Sequence, residues 1–203
     1  MKTNREKLLQ DAFVMFLQYN YERASYSLLT QATGISKAGI SYYYPTKQEL
    51  FVAVVDRYIF DVHDADLKFT PASSLAEFID HFIENVRRTM EWYIIILQQA
   101  ENTGDSTAFS NFFGFMLQIQ RYYPNAKVKL SAFWDKFLSR WNTAITEAIE
   151  RGELRRDIDI EWAGKMFCNA YLGMSFMQSF STGLDVEELR RSYNHLYDML
   201  KTH

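Results

Sequence analysis

The residues best equipped for chemistry lie close together near the N-terminus: Ser36, Lys37, Ser41, Tyr42, Tyr43 and Lys47. Their ammonium and hydroxyl groups are hydrogen-bond donors, and phosphate oxygens are the acceptors that such a set suits. Ala38 and Gly39 interrupt them with side chains small enough to let the backbone approach a bulky partner. Tyr44 completes a row of three tyrosines facing different directions on a helix, and it is expected to turn inward and pack. The stretch pairs no nucleophile with a base and spaces no metal ligands, so its chemistry is binding.

Local signals position these residues. Gly34 suits a turn with positive φ, Ser36 is a helix N-cap, and Pro45 ends the short helix that Lys37 begins. Thr46 with Glu49 forms a capping box for the next helix. Upstream, Ser25 caps a helix over Tyr26–Thr33 that buries Leu28, Leu29 and Ala32. Before it, a helix from Thr3 to Gln18 lines up Leu8, Leu9, Ala12, Phe13, Phe16 and Leu17, with Asn20 left-handed beyond its end. Two short helices joined by a glycine turn on an amphipathic helix form a helix-turn-helix unit, whose second helix lies in the DNA major groove. The expected DNA contacts are Ser25, Tyr26, Ser36, Lys37, Ala38, Gly39, Ser41, Tyr42, Tyr43 and Lys47, with Lys47 aimed at the phosphate backbone.

The remaining chain also reads as helices, giving an all-α fold of about nine. An apolar stripe from Leu50 to Val62 predicts one continuous helix, and Ser74 with Glu77 and Asp185 with Glu188 supply two more capping boxes. The boundary is expected after residue 47: a DNA-binding head over 1–47 and a helical ligand-binding and dimerisation body over 48–203. On the last helix Val186, Leu189, Tyr193, Leu196 and Leu200 follow a heptad-like seam. With Phe176, Met177 and Phe180 they are the expected dimer interface, since two half-site readers require two copies. Tyr93, Phe112, Met116, Trp134, Phe137, Trp141, Phe167, Tyr171 and Met174, with Gln98 and Glu101 as polar fixings, describe a small-molecule pocket. The same residues also describe an ordinary helical core.

Bulk properties narrow the classes. The 203 residues are 48% hydrophobic, enough for a sizeable core, and carry a net charge of -3. Residues 1–50 hold six Lys/Arg against four Asp/Glu, the remainder sixteen against twenty-one, which suits contact with DNA at one end only. The lone Cys168 permits no intrachain disulfide and reads as a small core residue. No apolar run approaches the ~18 residues that span a bilayer, so a cytoplasmic protein without membrane contact is expected. His63 with Asp61, Asp64 and Asp66 could be drawn as a metal site but reads as a solvated helix end; no metal or cofactor is expected.

The run from Ala32 to Leu50, Ala-Thr-Gly-Ile-Ser-Lys-Ala-Gly-Ile-Ser-Tyr-Tyr-Tyr-Pro-Thr-Lys-Gln-Glu-Leu, resembles the turn, recognition helix and following Lys-x-x-Leu of the TetR/AcrR family of bacterial transcriptional regulators. Arg5, Ala12, Phe16 and Tyr21 also match, while Ser41 stands where the family usually has Tyr and Gly39 where Thr or Ala is common. The resemblance implies a homodimeric DNA-binding regulator, a ligand-responsive repressor on a pseudo-palindromic operator, induced by a small hydrophobic or amphipathic effector. Two alternatives stay open: a DNA-binding architectural protein without ligand, and a helical-bundle enzyme using an acid such as Glu101.

Overall fold

A computed structural model describes residues 4–64, 68–100, 108–181 and 183–202. Among them are nine α-helices: α1 (Asn4–Arg23), α2 (Tyr26–Thr33), α3 (Lys37–Tyr43), α4 (Lys47–Val55), α5 (Leu75–Ala100), α6 (Ala108–Tyr122), α7 (Ala126–Glu150), α8 (Ile160–Gln178) and α9 (Val186–Leu200). The described residues form no named strand, and no described helix is long and apolar enough to cross a membrane. The all-α expectation holds. Thr3, and the Gln99 to Ser106 stretch where one helix was expected to end and the next to be capped, contribute no described side chains.

The chain packs as two units, residues 1–62 with 92–129 and residues 63–91 with 130–203. In the first, Leu8, Ala12, Phe13 and Phe16 of α1 are fully buried together with Leu50, Phe51 and Val54 of α4. Phe13 stacks on Tyr58 at 4.5 Å, and Phe51 meets Phe16 edge-on at 5.1 Å. The expected continuous helix after Thr46 changes register: α4 gives way to a π-helical turn over Asp56–Phe60, closed by the Asp61 N–H donating to the Asp56 carbonyl at 2.8 Å. The wider turn brings consecutive side chains closer around the axis, and Tyr58, Ile59 and Phe60 are all buried.

The second unit is built on stacked aromatics. Trp141 lies flat on Phe167 at 4.5 Å, and Tyr193 meets both edge-on at 5.3 and 5.1 Å. The Tyr193 hydroxyl donates to the Phe167 carbonyl at 2.8 Å. Of the seam expected between copies, Leu189 and Tyr193 are fully buried and Leu200 nearly so within their own chain, whereas Val186 and Leu196 are only partly buried against the same core. A heptad-like spacing marks any helix–helix seam, and here the partner helix is α8. Of the expected dimer residues, Phe176, Met177 and Phe180 stay exposed, Met177 at 68% and Phe180 at 67%.

Candidate functional site

The head is assembled from short-range chemistry. Ser25 accepts from the Leu28 N–H at 3.2 Å and Ser36 from the Gly39 N–H at 3.1 Å, so both serines cap their helices. Between them Gly34 adopts φ 69° and its N–H closes α2 onto the Thr30 carbonyl. Ala32, expected to be buried, is exposed; buried Thr33 takes the inward place, its hydroxyl donating to the Leu29 carbonyl at 2.7 Å and accepting from the Ile35 N–H at 3.0 Å. Thr46 and Glu49 close the capping box in both directions. Asn20 has φ 60° as expected, although a further helical turn resumes beyond it.

α3 is displayed. Of its seven residues Ile40 is buried, and beyond its end Tyr44 is buried too, at 5% exposure, as expected. Tyr42 is 82% exposed and Tyr43 37%, their rings meeting edge-on at 5.3 Å. Lys37 is exposed with its ammonium 5.9 Å from the Tyr26 ring centroid, and the Tyr26 hydroxyl reaches the Pro45 carbonyl at 3.4 Å. Ser41 and Gly39 are half-buried and Ala38 is exposed. Glycine at 39 has a local reason, since a Cβ there would lie 2.9 Å from the Ile35 Cγ2.

Other cations hold this helix in place. Arg5 donates through Nε to the Tyr44 hydroxyl at 3.1 Å, and Lys7 donates to the Thr33 carbonyl at 3.0 Å. Lys47 departs from the expectation of a cation aimed at phosphate. Its ammonium donates to the Tyr21 carbonyl at 2.9 Å and the Ala24 carbonyl at 3.1 Å, and sits 4.5 Å from the Tyr21 ring centroid. Those carbonyls lie just past the break in α1 at Asn20, where helical acceptors lose their partners. The positive charge of the head thus includes three groups engaged in building it.

The expected ligand residues divide between the units. Tyr93, Phe112 and Met116 belong to the first, where Tyr93 is buried and donates its hydroxyl to the Tyr58 carbonyl. The Gln98 side chain and Glu101 lie outside the described residues. In the second unit Trp141 and Phe167 are fully buried and Phe137 nearly so, which makes them core, whereas Trp134, Tyr171 and Met174 are only partly buried against it. The described cavities lie elsewhere, such as a groove between α1 and α2 bounded by Lys7, Met15, Leu28 and Gln31.

One residue gains importance that the sequence did not reveal. Lys68 is 2% exposed, its ammonium donating to the Asn85 carbonyl at 3.2 Å and to the Thr89 hydroxyl. Burial pushes its pKa down from 10.5 to about 7. At His63 burial, then the charge of Lys68, lowers the pKa to about 3. Around it Asp61 is exposed, Asp64 pairs with Lys136 at 3.1 Å on the surface, and Asp66 lies outside the described residues. No group of three metal-binding side chains gathers among the described residues. Cys168 is half-buried, and burial raises its thiol pKa to about 12, as suits an unreactive packing residue.

These contacts set two expectations. Replacing Lys47 by Ala removes two charge-assisted hydrogen bonds and should lower urea-unfolding stability by about 1–3 kcal/mol; unchanged stability would detach Lys47 from the clamp. Above pH 7 the folded state loses the Lys68 proton while the unfolded chain keeps it up to about 10.5, so stability should rise with pH across that window. Lys68→Met should remove this rise in urea titrations between pH 7 and 10, and an undiminished rise would place its origin elsewhere.

Comparison with known proteins agrees with this geometry. Residues 8–54 match the family model described as bacterial regulatory proteins, tetR family. The HTH-type transcriptional regulator RutR of Escherichia coli K12 is 29% identical over 84 residues, 39% of this chain and 39% of that protein, so the chain matches about two fifths of its relative's length. Among solved structures, the TetR family transcriptional regulator PfmR from Thermus thermophilus superposes with a TM-score of 0.69 at 21% identity, covering 94% of this chain and 97% of PfmR. A transcriptional regulator from Saccharomonospora viridis in complex with choline gives 0.67 at 17% identity, covering 98% of each chain. The matched segment runs from the core face of α1 through the displayed α3 into α4, so these helices are similar to those of the tetR family of bacterial regulatory proteins.

Proposed function

We propose that the protein is a ligand-responsive transcriptional repressor that binds a pseudo-palindromic DNA operator as a homodimer in the cytoplasm. Residues 1–47 serve as the DNA-binding part and residues 48–203 as the part for ligand binding and dimerisation. The observation that carries this reading is α3, which is capped by Ser36, buried through Ile40 alone and presents Lys37 and Tyr42 outward. Lys37, Tyr42 and Tyr43 meet the DNA, with Ala38 and Gly39 allowing close approach; Ser25, Tyr26, Ser36 and Ser41 support the contact surface. Lys47 acts through the loop it clamps.

Two copies of α3 enter successive major grooves about 34–36 Å apart. The exposed apolar cluster of Phe176, Met177 and Phe180 supplies the contact between copies. The choline in complex with the Saccharomonospora viridis protein supports a small-molecule ligand for a protein of this fold. A ligand releases the operator only as far as it binds the DNA-incompetent spacing more tightly, a coupling of ~1–3 kcal/mol in comparable systems. The match of residues 8–54 to a family of regulatory proteins stands against an enzymatic role.

Fluorescence-anisotropy titrations with DNA from upstream of the protein's own gene test the reading across salt concentrations. Lys37→Ala should weaken binding and reduce the slope of log K against log salt by about one unit. An unaltered slope would remove Lys37 from the interface, and no binding by the wild type would remove that DNA as its target.

A further inference from the structure

We infer that the end of α6 is a further part of the DNA-reading apparatus: Gln118 and Tyr122 are positioning residues that set the loop between α1 and α2, and through it α3. The inference rests on the proposed role of α3 in reading DNA and adds two residues on which that role depends.

The first support is the surroundings of Tyr21, one residue past the break in α1. Both of its backbone groups are bonded to side chains from other helices. Its N–H donates to the Gln118 side-chain oxygen on α6, and its carbonyl accepts from the Lys47 ammonium at the start of α4. The Gln118 amide nitrogen donates to the Gly114 carbonyl at 3.4 Å, which leaves its oxygen for Tyr21. The Tyr21 ring stacks on Tyr122 at 4.1 Å and has the Lys47 ammonium 4.5 Å from its centroid. The Tyr122 hydroxyl donates to the Glu22 carboxylate, and the Tyr122 carbonyl accepts from the Gln48 side chain at 3.2 Å. The end of α6 thus grips the loop and the start of α4 together.

The second support is that α6 is seated by its own core residues whereas the loop is not. Phe115 and Ile119 are fully buried, and Phe115 meets Phe13 at 5.7 Å and Phe51 at 5.5 Å. Of residues 21–24, Tyr21 is half-buried, Glu22 and Arg23 are exposed, and Ala24 is buried. A segment with so little apolar burial takes its position from polar bonds and from the rings that hold Tyr21. That position passes on to α3 from both sides. Ala24, whose carbonyl Lys47 also holds, adjoins the cap of α2, and the Tyr26 hydroxyl reaches the Pro45 carbonyl just beyond α3. Without Gln118 or Tyr122, α3 is correctly placed for only part of the time, and apparent DNA affinity falls by that fraction.

Two measurements on the full-length protein test this, with thermal melts establishing that each variant is folded. In amide proton–nitrogen correlation spectra, Gln118→Ala and Tyr122→Ala should shift the α3 amides of Lys37–Tyr43. Lys136→Ala, in a surface ion pair of the second unit, should leave them in place. In anisotropy titrations with DNA from upstream of the protein's own gene, both alanine variants should bind about fivefold more weakly or worse. The salt slope should stay as in the wild type, because neither residue carries a charge. Tyr122→Phe keeps the stack on Tyr21 and should recover affinity to within about twofold of the wild type. Unmoved α3 amides, or full DNA affinity in both alanine variants, would overturn the inference. A wild type that binds no such DNA counts against the operator reading, and the amide shifts then decide the positioning of α3 by themselves.

Discussion

Where α1 breaks at Asn20, backbone carbonyls are left without helical donors, and the Lys47 ammonium reaches two of them from the start of α4. That interaction fixes the loop before α2 to the helix after α3, so the two short helices are held at both ends. Arg5 on Tyr44 and Lys7 on the Thr33 carbonyl brace the same unit from α1. A displayed helix has little apolar surface to bury and cannot hold its own position by hydrophobic packing. α3 instead relies on Ile40, the neighbouring Tyr44 and a frame of cations bonded to backbone and ring oxygens. This frame leaves Lys37 and Tyr42 available to a partner.

The second unit follows a different logic. Its stability comes from aromatic area, with Trp141, Phe167, Tyr193 and Phe82 in mutual contact. α9 is committed to that core, which leaves Phe176, Met177 and Phe180 as the apolar groups exposed near the end of α8. Lys68, a buried cation bonded to the Asn85 carbonyl and the Thr89 hydroxyl, is the polar exception in that unit.

What was legible in the sequence was local. The caps Ser25, Ser36 and Thr46, the positive φ of Gly34 and Asn20, and the inward turn of Tyr44 follow from chemistry within a few residues of chain. What was not legible depends on distant partners. Leu189 and Tyr193 repeat at the same spacing whether the facing helix belongs to this copy or another. Lys47 looks like any exposed cation until Tyr21 and Ala24 are seen beneath it. Lys68 lies between residues of no special pattern, and its burial is decided by α5, where Asn85 and Thr89 wait. The π-helical turn at Asp56–Phe60 needs no unusual residue, only three consecutive side chains that all find a place in the core.

The central claim is that the clamped, displayed α3 is one half of a two-part DNA reader. Hydroxyl-radical footprinting of the full-length protein on DNA upstream of its own gene measures this directly. The account predicts two protected patches related by approximate two-fold symmetry, their centres about one helical turn or a multiple of it apart, both lost together in Lys37→Ala. A single continuous protected tract, or protection unchanged in that variant, would contradict it.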